Sequence, residues 1–98
     1  MKTICIDFDN VICDRNKTMI PKADLALENI QRLGFKIIIH TAHRPVIDVE
    51  NWLIDHHLKY PVVLEKPEAV AYIDDRGIRF KDWDNIMTEW FPVLRSYL

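Results

Sequence analysis

Apolar and polar positions alternate along this chain in blocks, and the blocks set the elements. Thr3 to Phe8 holds a near-continuous apolar run, Ile4-Cys5-Ile6 and Phe8, which predicts a strand buried on both faces. Asp9 to Pro21 is polar and irregular and reads as a loop with a tight hairpin. Lys22 to Leu33 has helical spacing, with Leu25, Ala26, Ile30 and Leu33 on one face, Leu27 at its edge, and Gly34 as the stop. Phe35 to His40, "FKIIIH", predicts a second buried strand. Thr41 to Arg44 is a turn, and Pro45 suits a first helical position, where its missing N–H costs nothing. The helix after it runs to about Leu58, with Val46, Val49, Leu53 and His57 inward.

Tyr60 to Leu64 is a short third strand and Glu65 to Glu68 a turn. Val70 to Ile73 is a fourth strand ending at Asp74-Asp75. A short extra strand falls within Gly77 to Lys81. Asp82 or Asp84 caps a last helix reaching about Tyr97, perturbed by Pro92. Apolar strands separated by helices predict an α/β, Rossmann-like three-layer fold. Its small parallel sheet is flanked by helices on both faces. No repeat, low-complexity tract or linker interrupts it.

Composition narrows the function classes. The chain has 98 residues, 49% hydrophobic and 29% charged, which predicts one domain with one core. The net charge of -2 gives no basic field for nucleic acid, which enters only as a substrate. Without Asp7, Asp9, Asp74 and Asp75 the charge would be -2 + 4 = +2. If those acids cluster, a cation is the natural remedy. Cys5 and Cys13 form neither a disulfide framework nor a CxxC metal pair, so reduced thiols in a cytoplasmic protein are expected. The opening MKTICIDFD is not a signal peptide, and no segment approaches the ~20 apolar residues that span a bilayer.

In a parallel sheet, ligands bind beyond the carboxyl ends of the strands. Those ends carry Asp7 and Asp9, Thr41, and Asp74 and Asp75, with Lys66 in the loop entering the fourth strand. Such a set suits phosphoryl transfer through a carboxylate nucleophile. Grouped carboxylates repel and need a divalent ion, and Mg²⁺ suits oxygen ligands. Lys66 would supply charge, Thr41 a hydroxyl, and backbone N–H groups at residues 8–10 and 42–43, Ala42 among them, a phosphate cradle. Asp7 would attack phosphorus. Asp9 would protonate the leaving oxygen and later activate water.

The four segments "ICIDFDNV", "FKIIIHT", Lys66 and "VAYIDD" resemble, in order, the four motifs of the haloacid dehalogenase superfamily of aspartate-nucleophile phosphohydrolases. The resemblance spans nearly the whole chain. It implies Asp7 as nucleophile and metal ligand, and Asp9 as acid/base with its backbone carbonyl on the metal. Thr41 and Lys66 would bind phosphate. Asp75 would be the direct metal ligand, with Asp74 its supporting partner. The stretches between motifs leave no room for the cap domain common in that family, so the resemblance is to a capless member. Its site would be open, or covered by a macromolecular substrate or a homo-oligomeric neighbour. "TAHR" and "IDDR" also resemble the phosphatase domain of bacteriophage polynucleotide kinase, over a shorter stretch. His43 and Arg44 fall near the expected phosphate, where Arg44 would clamp a second substrate anion or, equally, form a surface salt bridge.

Other residues carry plainer readings. His56-His57 is a helix face rather than a ligand set, the tryptophans are packing, and Cys13 is a packed thiol. Two non-enzymatic alternatives stand beside the phosphatase: a phosphorylation-operated signalling module, and a phosphate- and Mg²⁺-binding protein on the same fold. The receiver-type order of motifs differs, since the third strand, "YPVVL", ends without an aspartate.

Overall fold

The computed structural model describes residues 2–74 and 78–96. It is an α/β, Rossmann-like fold with a parallel sheet and flanking helices, the expected class. The strands are β1 (Thr3–Asp7), β2 (Lys36–His40), β3 (Val62–Val63), β4 (Ala71–Asp74) and β5 (Ile78–Arg79). Their order is β3-β2-β1-β4-β5, all pairs parallel, which puts β1 at the centre. Helix α1 (Ala23–Arg32) joins β1 to β2, and α2 (Val46–Asp55) joins β2 to β3.

The register stacks side chains in rows across the sheet. Ile4 lies beside Ile37 and Ala71, and Ile6 beside Ile39 and Ile73. All six are buried, and they join one core with Ala26, Leu27 and Ile30 of α1 and Val49 and Leu53 of α2. Two right-handed crossovers stepping the same way across a sheet put their helices on one face. The C-terminal helix docks beside α1: Lys22 pairs with Asp84 at 2.7 Å, and Asn29 Nδ2 donates to Met87 Sδ at 3.9 Å.

The flanking is uneven. The opposite rows run Cys5–Ile38–Tyr72 and Asp7–His40, and among the described residues no helix bonds to their side chains. The connection from Leu64 to Val70 lies there instead. Tyr72 donates its hydroxyl to Pro67 O at 2.6 Å and accepts from Ala69 N at 3.2 Å. A seven-residue connection is too short for a helical crossover.

Local differences have local causes. Leu25 is 55% exposed and Leu27 fully buried, so the apolar stripe of α1 is Ala23, Ala26, Leu27 and Ile30. Pro45 is the cap of α2 rather than its first residue. That helix stops at Asp55, and His57 is exposed in a left-handed conformation (φ 61°), not inward. Asp82 caps the last helix, accepting from Asn85 N at 2.7 Å. This helix begins as α3 (Trp83–Asn85), widens to a π turn over Ile86–Trp90, and ends as α4 (Phe91–Arg95). Pro92 cannot donate to Thr88 O and its ring crowds that carbonyl, so Phe91 N bonds Ile86 O and the helix accommodates one extra residue per turn.

Candidate active site at the carboxyl end of the sheet

β1 ends at Asp7, and the chain then curls sharply. Phe8 O accepts from Ile12 N at 3.0 Å and Cys13 N at 3.1 Å, while Asn10 N donates to Cys13 O at 2.7 Å. Asn10 adopts φ 63°, a left-handed conformation that asparagine tolerates better than most residues. The curl turns Asp9 back toward Asp7. Both carboxylates line a cavity of about 210 Å³ with Asn10, His40, Ala42 and His43.

Each acid has a basic neighbour. Asp7 Oδ1 lies 2.9 Å from His40 Nδ1, and His40 Nε2 lies 3.1 Å from the Leu64 carbonyl oxygen. An oxygen on each side of the ring orients it between β1 and the connection. Asp7 Oδ2 takes no hydrogen bond from the described residues. Asp9 Oδ1 accepts from Arg44 Nε at 2.6 Å. That hydrogen bond, and then the charge of Asp9, raise the Arg44 pKa. Asp74 is buried and pairs through Oδ2 with the Lys66 ammonium, whose pKa the hydrogen bond raises.

The expected set is therefore assembled unevenly. Asp7, Asp9 and Ala42 share the cavity. Arg44 meets it through Asp9. Lys66 stands with Asp74, which the register between β1 and β4 brings beside Asp7. Thr41 is buried, and its hydroxyl closes the turn: it donates to Arg44 O at 3.1 Å and accepts from Arg44 N at 3.2 Å. It does not line the cavity. Asp75, the expected direct metal ligand, lies outside the described residues.

His40 is the site residue that motif reading missed. The signal was available: it precedes Thr41, and a parallel register placing it opposite Asp7 puts both side chains on one face. A larger groove of about 470 Å³, lined by Leu53, Ile54, Leu58, Tyr60 and Pro61, has only Glu50 and Lys59 as charged groups and none of the acidic set.

Among the described residues, no group of three or more His, Cys, Asp or Glu side chains could hold a metal ion. The donor chemistry still suits a hard cation. Among the described residues, Asp7 keeps one carboxylate oxygen without a partner, and the Asp9 carbonyl accepts no hydrogen bond. The neighbouring thiols are held toward their protonated form. Burial and the Asp7 charge push Cys5 up to about 11, and burial raises Cys13 against the opposing pull of Arg44.

No family model and no curated protein matches the chain. A solved structure of a conserved protein from Bacteroides thetaiotaomicron superposes with a TM-score of 0.71 at 21% identity, covering 99% of this chain and 98% of that one. The likeness concerns the fold. Among the described residues no helix is long and apolar enough to cross a membrane.

Proposed function

We propose that the protein is a capless phosphohydrolase of the haloacid dehalogenase type. One observation carries the reading: Asp7 and Asp9 converge on one polar cavity at the carboxyl end of the central strand, with an oxygen of Asp7 unengaged by the described residues. Asp7 Oδ2 attacks phosphorus of a monoester, forming an aspartyl-phosphate as the P–O bond to the alcohol breaks. Asp9 gives the leaving oxygen its proton. Water then attacks phosphorus, Asp9 takes the water proton, and Asp7 is released as carboxylate with inorganic phosphate. His40 holds Asp7 in place, and the Arg44 contact holds Asp9 within reach. Lys66 supplies positive charge beside Asp74.

Asp7, the Asp9 carbonyl and Asp75 would hold Mg²⁺, which when bound neutralises charge on the phosphoryl oxygens. Thr41 serves this site by shaping the turn that presents Ala42 and Arg44. A cytoplasmic location fits two unpaired, buried thiols. A homo-oligomeric neighbour or a bulky substrate would cover the open cavity.

The test is turnover of a generic phosphate monoester with Mg²⁺ by the native chain and by Asp7→Asn. Turnover by the native chain alone supports the reading, whereas equal rates would exclude Asp7 as the nucleophile. A phosphorylated protein stable for minutes without turnover would favour the signalling module.

A further inference from the structure

We propose that the groove between the loop after β1 and α2 seats the leaving group, and that it suits a dipolar alcohol. An anionic group would meet Lys17 and Arg44, and an ammonium would meet Asp48 and Asp55. The inference rests on the phosphohydrolase reading and adds a substrate class to it.

The groove, about 370 Å³, is lined by Phe8, Cys13, Lys17, Arg44 and the α2 residues Asp48, Asn51, Trp52 and Asp55. It adjoins the reacting groups: Phe8 stands between Asp7 and Asp9 in the chain, and Arg44, which lines the groove, bonds Asp9. The α2 residues fall at i, i+3, i+4 and i+7, one stripe of the helix. The opposite wall is a locked hairpin. Asp14 N donates to Thr18 O at 2.9 Å, and Asp14 Oδ1 accepts from Asn16 N and Thr18 N. Trp52 Nε1 donates to Lys17 O at 2.9 Å and ties that hairpin to α2. The edge-to-face contact of Phe8 and Trp52, 5.2 Å between centroids, makes an apolar floor.

Charges of both signs wait on these walls. Among the described residues the Lys17 ammonium, the Arg44 Nη groups and the carboxylates of Asp48 and Asp55 have no hydrogen bond or ion pair. Asp48 sits in the first turn of α2, where the helix dipole favours an acid. Asp55 is the last residue of α2, where the dipole disfavours one, and no basic residue shares that turn. Two cations and two anions cancel, so a polyanion such as nucleic acid gains no net field here. A neutral alcohol would offer no opposite charge to the Lys17 ammonium, the Arg44 Nη groups or the two carboxylates. A leaving group carrying one charge of each sign satisfies both walls.

Four monoesters separate the contributions: phosphoserine with both charges, phosphoethanolamine with the ammonium alone, 3-phosphoglycerate with the carboxylate alone, and glycerol 3-phosphate with neither. With Mg²⁺ and the full chain, kcat/KM should be highest for phosphoserine. It should exceed each singly charged ester by about tenfold, one charge-assisted contact. Lys17→Gln should lower only the preference for a carboxylate, and Asp55→Asn only the preference for an ammonium. Equal kcat/KM across the four esters would overturn the proposal while leaving the phosphohydrolase reading intact. If no ester turns over, tryptophan fluorescence decides. Quenching by phosphoserine but not by glycerol 3-phosphate, absent in Trp52→Phe, keeps the groove and removes the phosphohydrolase. No quenching and no turnover removes both.

Discussion

The two faces of the sheet were built to different rules. On one, Ile4, Ile6, Ile37, Ile39, Ala71 and Ile73 meet three helices and are almost wholly buried. On the other, Cys5, Ile38 and Tyr72 lie under an extended connection, and the next row is Asp7, His40 and Asp74. A helix laid over that second face would close the polar cavity that Asp7 and His40 line. The extended connection leaves Asp7 and His40 on a polar opening, brings the Leu64 carbonyl to His40 and pairs Lys66 with the buried Asp74. Apolar packing orders the first face, and hydrogen bonds and ion pairs order the second.

Substitutions can break this division. The largest effect expected is on activity from the polar face: Asp7→Asn should lower phosphate-ester turnover by at least about a thousandfold. Its urea midpoint should stay close to that of the native chain, because Asp7 is partly exposed and makes one side-chain hydrogen bond with the described residues. A collapse of stability in this variant would put Asp7 among the structural residues instead.

On the helix-covered face, Ile6→Ala should cost about 3–4 kcal/mol in urea unfolding, since the packed core cannot close around the lost volume. A loss below about 1 kcal/mol would mean that this face is not the main core.

An intermediate effect comes from Cys5, the buried thiol of the opposite face. Its pKa in the folded protein is pushed up to about 11 by burial and the Asp7 charge. The thiol therefore keeps its proton longer when folded than when unfolded. Its stabilisation is complete below the ordinary thiol range and is lost as pH rises from there through about 11. Unfolding free energy should fall by about 2–3 kcal/mol over that interval. The decline should be shallower in Cys5→Ala, and an identical decline would assign it to other groups.

The smallest effect sharpens the contrast between faces. Ile38→Ala, under the thinner cover, should cost about 1–2 kcal/mol, clearly less than Ile6→Ala. Equal losses would mean that the connection packs as tightly as the helices do.

Much of this was legible before any coordinates. Buried strands announce themselves as apolar runs, so β1, β2 and β4 stood out in "ICIDF", "FKIII" and "VAYI". Asp82 as a cap and Pro92 as a disturbance follow from local chemistry and hold in the structure. Leu25 and Leu27 exchanged roles because a helix offers two overlapping apolar stripes and only the neighbouring sheet selects one. His57 faced out because α2 ended a turn early.

Local chemistry along the chain thus determined the elements, their parallel arrangement and which acids end the strands, because each depends on neighbours a few residues apart. Only the tertiary structure decided who partners those acids. Arg44 reaches Asp9 across 35 positions and His40 reaches Asp7 across 33. Thr41 turned to its own loop, and one sheet face was left to a short connection. Such pairings depend on register and crossover geometry, which no local stretch of sequence encodes.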